Sequence, residues 1–327
     1  MIVNKRVLVY LDPLATNMLV RVASLITILL VTTPLTLLHG WGLTYRMTWA
    51  AAGYIAVSAV VIWLLAFNFY YYALRSGRVS VVTPITSTDP LFTALFAVVL
   101  VGGALGGLTV SGLLIAVAGV ILISRAIDEG ETATSGPVGE PPPLALPEQS
   151  SLAAHVAARP ASAMDDGILT TRRPWVRSAP AVIVLSVLTA VGWGLGPVLI
   201  QLAERSVGGT SVTMVLQSQG LGLALLAGIV LARRAPLATR RLTPQERRRT
   251  IWLVVAAGVL EATFSIVYYL VIEHIGAVLT VLIGATSPIF AIAGGVVLLR
   301  ERLGRRLALG ALVTLLGVFL ATVDRIH

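Results

Sequence analysis

The chain has 327 residues, 57% of them hydrophobic and 12% charged, with a formal net charge of +9 and a mean hydropathy of +0.90. Soluble domains carry about 25% charged residues, so this composition cannot cover a water-facing surface and excludes a soluble globular protein. With no cysteine, disulfides, thiolate metal sites and thiol nucleophiles are excluded too.

Nine segments approach the ~20 apolar residues needed to span a bilayer. They lie at roughly 17–38, 49–74, 79–102, 107–125, 181–204, 212–232, 251–272, 277–299 and 307–324. All should be helices, because an open strand cannot satisfy its backbone in lipid. The first apolar run, Leu19–Leu38, is too long for a secretory signal and lacks a small-residue cleavage site. Ile127–Arg177 breaks the pattern with a Gly-Glu-Pro-Pro-Pro run at 139–143 and scattered Ser and Ala. This stretch reads as a disordered linker. The expected organisation is therefore a first repeat over 1–126, a cytoplasmic linker over 127–179 and a second repeat over 180–327.

Arginines gather at alternate ends of the spans. One side holds Lys5, Arg6, Arg75, Arg78, Arg125, the linker arginines, Arg233–Arg249 and Arg300–Arg306, while the other has little beyond Arg46, Arg205 and Arg325. The positive-inside rule makes the rich side cytoplasmic, which puts the C-terminus outside. The positive charge is thus accounted for by topology, and nucleic acid is not an expected partner.

The chain repeats itself. Pro90 and Pro288, Phe92 and Phe290, Gly112 and Gly310, Gly119 and Gly317, and Val120 and Val318 are each 198 residues apart. Tyr71-Tyr72 recurs as Tyr268-Tyr269, one residue off that register. In the arginine-derived topology the matched helices cross in opposite directions, as in inverted-repeat carriers. The same offset leaves nothing opposite Ala181–Val198 in the first half. The expectation is a chain that starts late and lacks the first helix of a ten-helix protein, through a misplaced start or a truncated gene.

These pieces carry a resemblance. Asn68–Arg75 (NFYYYALR), Asp89–Ala97 (DPLFTALFA), Ser287–Ala293 (SPIFAIA), Arg300–Gly304 (RERLG) and Gly310–Thr322 together resemble the EamA-like group of the drug/metabolite transporter superfamily. No single motif is diagnostic; their order and repetition are. The resemblance implies an all-α polytopic protein of two inverted five-helix repeats, with nine spans present here. It implies efflux or uptake of small metabolites without nucleotide hydrolysis. The chain departs from that pattern in its missing first helix and its long linker. It also has Gly103 opposite Glu301, and the outside C-terminus contrasts with the two cytoplasmic termini general in the group.

Polar side chains inside the spans mark the candidate site. Glu261 lies midway along the apolar run Trp252–Ile272. A carboxylate at that depth costs roughly 2.5–3.5 kcal/mol on insertion scales, so it calls for a task or a partner. It could exchange a proton or meet a cationic solute; the alternative is a permanently protonated acid donating one hydrogen bond. Glu261, Ser265 and Tyr268/Tyr269 share a helix face, as do Trp193, Pro197 and Gln201, and Asn68, Tyr71/Tyr72 and Arg75. These stripes line a common cavity or act as interhelical glue.

Asp89-Pro90 and Ser287-Pro288 have the chemistry of an N-cap with Pro at N1, in mid-span. Each is either a helix break aiming its dipole at the cavity or a simple proline kink. Asp89 could cap such a break or pair with Arg21. A paired Asp89 would be structural, leaving Glu261 as the functional acid. The substrate-contact candidates are thus Glu261, Tyr268, Tyr269, Asn68, Tyr71, Tyr72, Asp89, Trp193, Gln201 and Ser287.

Enzyme signatures are missing. Lys5 is the sole lysine, so no phosphate-loop Gly-Lys-Ser/Thr exists. The four histidines lack metal-ligand spacing. No nucleophile elbow appears. No catalytic residue, cofactor or metal is expected. The chain reads as a multi-pass cell (inner) membrane protein whose partners are the lipid bilayer and a small-molecule substrate. Its expected function is secondary-active export of a small metabolite, amino acid or drug-like solute by alternating access, with proton coupling as one reading of Glu261. The alternative is a non-transporting scaffold or a decayed transporter. Substrate, coupling ion and oligomeric state are not legible.

Overall fold

The computed structural model describes residues 1–39, 47–102, 106–128, 179–207, 211–233, 238–239, 242–284, 290, 293–294, 296–298 and 304–323. The first half contains α1 (Ile2–Val7), α2 (Pro13–His39), α3 (Trp49–Ser58), a π-helical segment (Ala59–Ala66), α4 (Phe67–Ser76), α5 (Val79–Thr86), α6 (Asp89–Val101) and α7 (Gly107–Asp128). The second contains α8 (Ala179–Val207), α9 (Ser211–Ala232), α10 (Pro244–Gly284) and α11 (Arg305–Val323). Six helical stretches among the described residues are long and apolar enough to cross a membrane: Pro13–Pro34, Trp49–Ser76, Val79–Leu100, Pro180–Val207, Val212–Ala232 and Pro244–Val271. The protein is an all-α, multi-pass integral membrane protein.

Local chemistry sets several boundaries. Asp12 opens α2, its Oδ1 accepting from the Leu14 amide at 3.1 Å. Its carboxylate also reaches Arg75 at 3.1 Å. The Lys5 ammonium donates to the carbonyls of Leu74 and Gly77, the latter at 2.6 Å, covering acceptors that α4 leaves open at its end. Tyr10 accepts from the Thr239 amide at 3.0 Å. These contacts put Asp12, Arg75 and the Thr239 connection at one end of the bundle, as the arginine pattern requires.

Two features differ from the sequence expectation, and one decides between alternatives it left open. The second span is interrupted by the π segment, whose wider turns nothing in its apolar sequence announces. The third span breaks at Asp89-Pro90, where a turn at Ser87-Thr88 separates α5 from α6. There Thr88, not Asp89, is the N-cap, and no side-chain capping bond forms. Hydroxyls of Thr86 and Ser87 donate to the Thr83 carbonyl and Thr88 donates to Ile85, so the break is satisfied within the helix. The connection expected at 273–276 is absent, since α10 runs unbroken to Gly284. Its physical reason is local: Ile, Ala, Val and Leu follow, and the lone Gly276 costs a helix only ~1 kcal/mol. Within the predicted span 277–299, residues 285–289, 291–292, 295 and 299 lie outside the described residues.

The two halves meet through repeat-related contacts. A Cβ on Gly119 would stand 2.8 Å from the Gly310 carbonyl, one on Gly310 3.1 Å from the Gly119 carbonyl, and one on Gly317 2.6 Å from the Gly112 carbonyl. As α7 advances from 112 to 119, its partner retreats along α11 from 317 to 310. The helices therefore pack antiparallel, backbone to backbone, which only small residues permit. Exchanging the halves maps this contact onto itself, the signature of a pseudo-twofold. A second contact behaves likewise. Gly258 of α10 presses on Ala23 and Ser24 of α2, while Gly222 of α9 presses on Trp63 and Ala59 of the π segment.

Candidate functional site

A polar cluster lies inside the bundle where α2, the π segment, α9 and α10 meet. Asn17, Arg21 and Ser24 recur at helical spacing, so all three face inward from α2, and each is 0% exposed. The Arg21 guanidinium is ion-paired with Glu261 of α10. It also lies over the rings of Trp63 and Phe67, 4.4 and 3.9 Å from their centroids. Cation–π contact of this kind stabilises a desolvated guanidinium by up to ~2 kcal/mol.

Asn17 holds the arrangement from behind. Its Nδ2 donates to the Trp63 carbonyl at 2.9 Å, and its Oδ1 accepts from Arg21 Nε at 3.4 Å. That carbonyl belongs to the π segment, where wider turns leave backbone acceptors for outside donors. Thr189 of α8 reaches the Ala66 carbonyl in the same way at 3.4 Å. On α9, Ser218 accepts from Trp63 Nε1 at 2.9 Å and lies 2.6 Å from the Ser58 hydroxyl. Next to it, Gln219 donates to Ser24 at 3.0 Å.

The repeat makes this cluster asymmetric. Gln219 stands 198 residues after Arg21, and Glu261 stands 198 after Trp63. One α2-type helix thus meets its partner through an ion pair, and its counterpart carries uncharged groups at the same places.

Aromatic side chains wall the cluster. Trp63 and Phe67 stack at 5.3 Å. Phe67 and Tyr70 both pack on Trp193, at 5.2 and 5.1 Å. Tyr71, wholly buried, is electrostatically coupled to both Arg21 and Glu261. Trp193 Nε1 and Asn68 Oδ1 are buried without hydrogen-bond partners, polar groups that a bound solute could engage.

The sequence matches the EamA-like transporter family over residues 1–125 and 180–323. The chain belongs to that family. It matches no curated protein. Membership makes this EamA-like chain a transporter at the level of the family, and the matched stretches leave out residues 126–179.

Within the EamA-like bundle, Glu261, Tyr71, Trp193, Tyr268 and Tyr269 come together around Trp63 and Phe67. Tyr269 is 8% exposed and joins the apolar cluster of Ile62, Trp63 and Ile200, against which Trp193 and Tyr268 also pack. Tyr268 and Tyr269 meet edge to face at 5.3 Å. Tyr72 is half-buried at the edge of the Tyr70–Tyr71 cluster. Asn68 turns its amide back to the Leu64 carbonyl of its own chain segment. Gln201 is half-buried two turns past Trp193 on α8. Ser287 lies outside the described residues.

Of the two alternatives for Asp89, pairing with Arg21 does not form: Arg21 serves Glu261, because α2 packs against α10 whereas Asp89 sits at the start of α6 beneath α8. Tyr268 is in electrostatic range of Asp89. Sequence reasoning missed Asn17, Ser24, Ser58, Trp63, Phe67, Tyr70, Ser218 and Gln219. Their signal was there for Asn17, Ser24 and Gln219, polar residues within apolar spans. Trp63 and Phe67 read as ordinary apolar positions. Among the described residues no three His, Asp or Glu side chains gather as metal ligands.

Proposed function

We propose that this chain is a secondary-active carrier that exports a small solute by alternating access, its two repeats (1–126 and 180–327) rocking about the Arg21–Glu261 cluster and the linker 127–179 joining them. What supports this reading is the ion pair itself. Its guanidinium is buried and its carboxylate only 14% exposed, aromatic rings wall it, and its two members come from opposite repeats. Rocking of one repeat against the other would move α2 relative to α10 and so open or close the pair.

A solute carrying both an ammonium and a carboxylate could replace the pair without leaving a buried charge uncompensated. Its ammonium would take Glu261 and its carboxylate Arg21, while an apolar part packed on Trp63, Phe67 and Tyr71. Purely cationic or anionic solutes would strand one member, a costly arrangement in a low-dielectric interior. An amino acid is therefore the favoured class among metabolites, amino acids and drug-like solutes. The chain acts on no bond of the solute in this reading and is not an enzyme.

Proteoliposomes holding the full chain test it. Counterflow of amino acids, organic cations, organic anions and neutral amphiphiles is measured with and without a pH gradient. Saturable flux confined to amino acids, and abolished in the Arg21→Gln/Glu261→Gln double variant, is the expected result. Flux of none of these solutes would favour a non-transporting scaffold.

A further inference from the structure

Asp89 and Glu261 are the two acids near the middle of described spans, and their electrostatic circumstances are opposite. Glu261 has a guanidinium against it and stacked aromatic rings behind that guanidinium. Protonating Glu261 would leave Arg21, which is 0% exposed, as an uncompensated cation. The pair is thus poorly suited to load a proton unless something else neutralises Arg21 at that moment.

Asp89 has no such cation. Neither ion pair among the described residues includes it, and its carboxylate is served by its own backbone alone. As first residue of α6 it would ordinarily gain from free amides, but the next residue, Pro90, has none to offer. Among the described residues the surroundings add no positive charge. Gly194 of α8 closes over this turn, so near that a Cβ there would stand 2.7 Å from the Asp89 carbonyl and 2.5 Å from Phe92 Cβ. Beside it on α8 is Trp193. From α10 comes Tyr268, in electrostatic range of Asp89. The cations of the other neighbouring helices, Arg78 before α5, Arg125 on α7 and Arg305 and Arg306 on α11, lie at helix ends. A carboxylate inside a span with no cation beside it is relieved of its desolvation cost by a proton.

We propose that Asp89 is the proton-binding residue of this carrier and that Glu261 stays ionised throughout the cycle, against Arg21 or against the solute's ammonium. A proton arriving from outside adds to a carboxylate oxygen of Asp89, taking its charge from −1 to 0. It departs to the cytoplasm in the inward-facing state, where the solute loads. Exchanging one proton for a solute of no net charge carries one positive charge inward per turn. The helix break at Ser87-Thr88 lets α6 tilt independently of α5, so the Asp89 carboxyl can change sides as the repeats rock. The assignment rests on the carrier reading above, and it exchanges the roles that sequence alone suggested for the two acids.

The test reads proton binding with no solute present. Infrared difference spectra between high and low pH are recorded on the full chain in lipid nanodiscs, following the C=O stretch of protonated carboxyls. Expected is a band lost in Asp89→Asn, displaced in Asp89→Glu and retained in the Arg21→Gln/Glu261→Gln double variant, which strands no charge. Loss of the band in the double variant, or a wild-type spectrum identical to that of Asp89→Asn, overturns the proposal. Should Asp89→Asn fail to fold, Asp89→Glu decides: a displaced band supports it and an unchanged spectrum refutes it. Counterflow separates the two readings. An Asp89 band without flux of any solute defeats the carrier, and flux without an Asp89 band defeats the proton site.

Discussion

Arg21 and Glu261, 240 positions apart in the chain, form an ion pair in the bundle interior that ties α2 to α10. Breaking a buried pair on one side leaves the other charge unmatched, at a cost of ~3–5 kcal/mol, whereas removing both is far milder. Glu261→Gln and Arg21→Gln should each lower thermal stability in micelles strongly, and the double variant should recover most of the loss. A double variant as unstable as either single one would mean that the pair contributes nothing.

Ser218 serves two buried partners, Trp63 Nε1 and Ser58. Ser218→Ala leaves the indole N–H without an acceptor, and bonds between membrane helices average ~0.6 kcal/mol with model systems reaching ~1–2. A destabilisation of about 1 kcal/mol is expected. Thr263, exposed and bonded to its own helix at Val259, is the control: Thr263→Ala should be close to neutral. Chemical unfolding of the two variants in mixed micelles compares them.

Gly119 and Gly220 make a matched pair of substitutions. A Cβ on Gly119 would stand 2.4 Å from the Thr314 amide and 2.8 Å from the Gly310 carbonyl, and backbone cannot step aside. Gly119→Ala should therefore cost ~1–3 kcal/mol by overpacking. Nothing lies within 4 Å of a Cβ on Gly220, so Gly220→Ala should gain up to ~1 kcal/mol of helix propensity. Melting temperatures moving in the same direction for both would refute the antiparallel α7–α11 contact.

Asp12 has two jobs that salt separates. Its bond to Arg75 joins side chains 32% and 34% exposed, which makes it worth at most ~1 kcal/mol and screened by salt. Its bond to the Leu14 amide is a helix cap, whose loss costs ~0.5–2 kcal/mol. Arg75→Gln should have a small effect that vanishes in high salt. Asp12→Ala should keep most of its effect there, as thermal melts across ionic strength will show.

Hydropathy made most of the helices legible, because membrane-length apolar runs leave the backbone few other options. The mid-span break at Asp89 was only half legible: Asp-Pro offered a break or a simple kink, and the turn at Ser87-Thr88 decides for the break. The Arg21–Glu261 pairing was not. Spacing reports which residues share a helix face, but it is silent on which faces meet, and the partner it offered Arg21 was Asp89. Once α2 is seen against α10, the choice follows. The connection read between the spans 251–272 and 277–299 failed for a local reason: the helix formers around Gly276 carry α10 through. Trp63 and Phe67 could not be singled out, because an aromatic ring facing a guanidinium and one facing lipid are identical in a sequence.

The wide turns at Ala59–Ala66 leave the two halves in one register, since Tyr70-Tyr71 and Tyr268-Tyr269 stand 198 residues apart like the other repeat-related positions. A π turn accommodates one residue more than an α turn, and the widening bares the carbonyl that Asn17 takes. Excising Leu65, which is 43% exposed, would rewind the segment to plain α-helix and swing Phe67 and Tyr71 by roughly a quarter turn, withdrawing the aromatic floor from beneath Arg21.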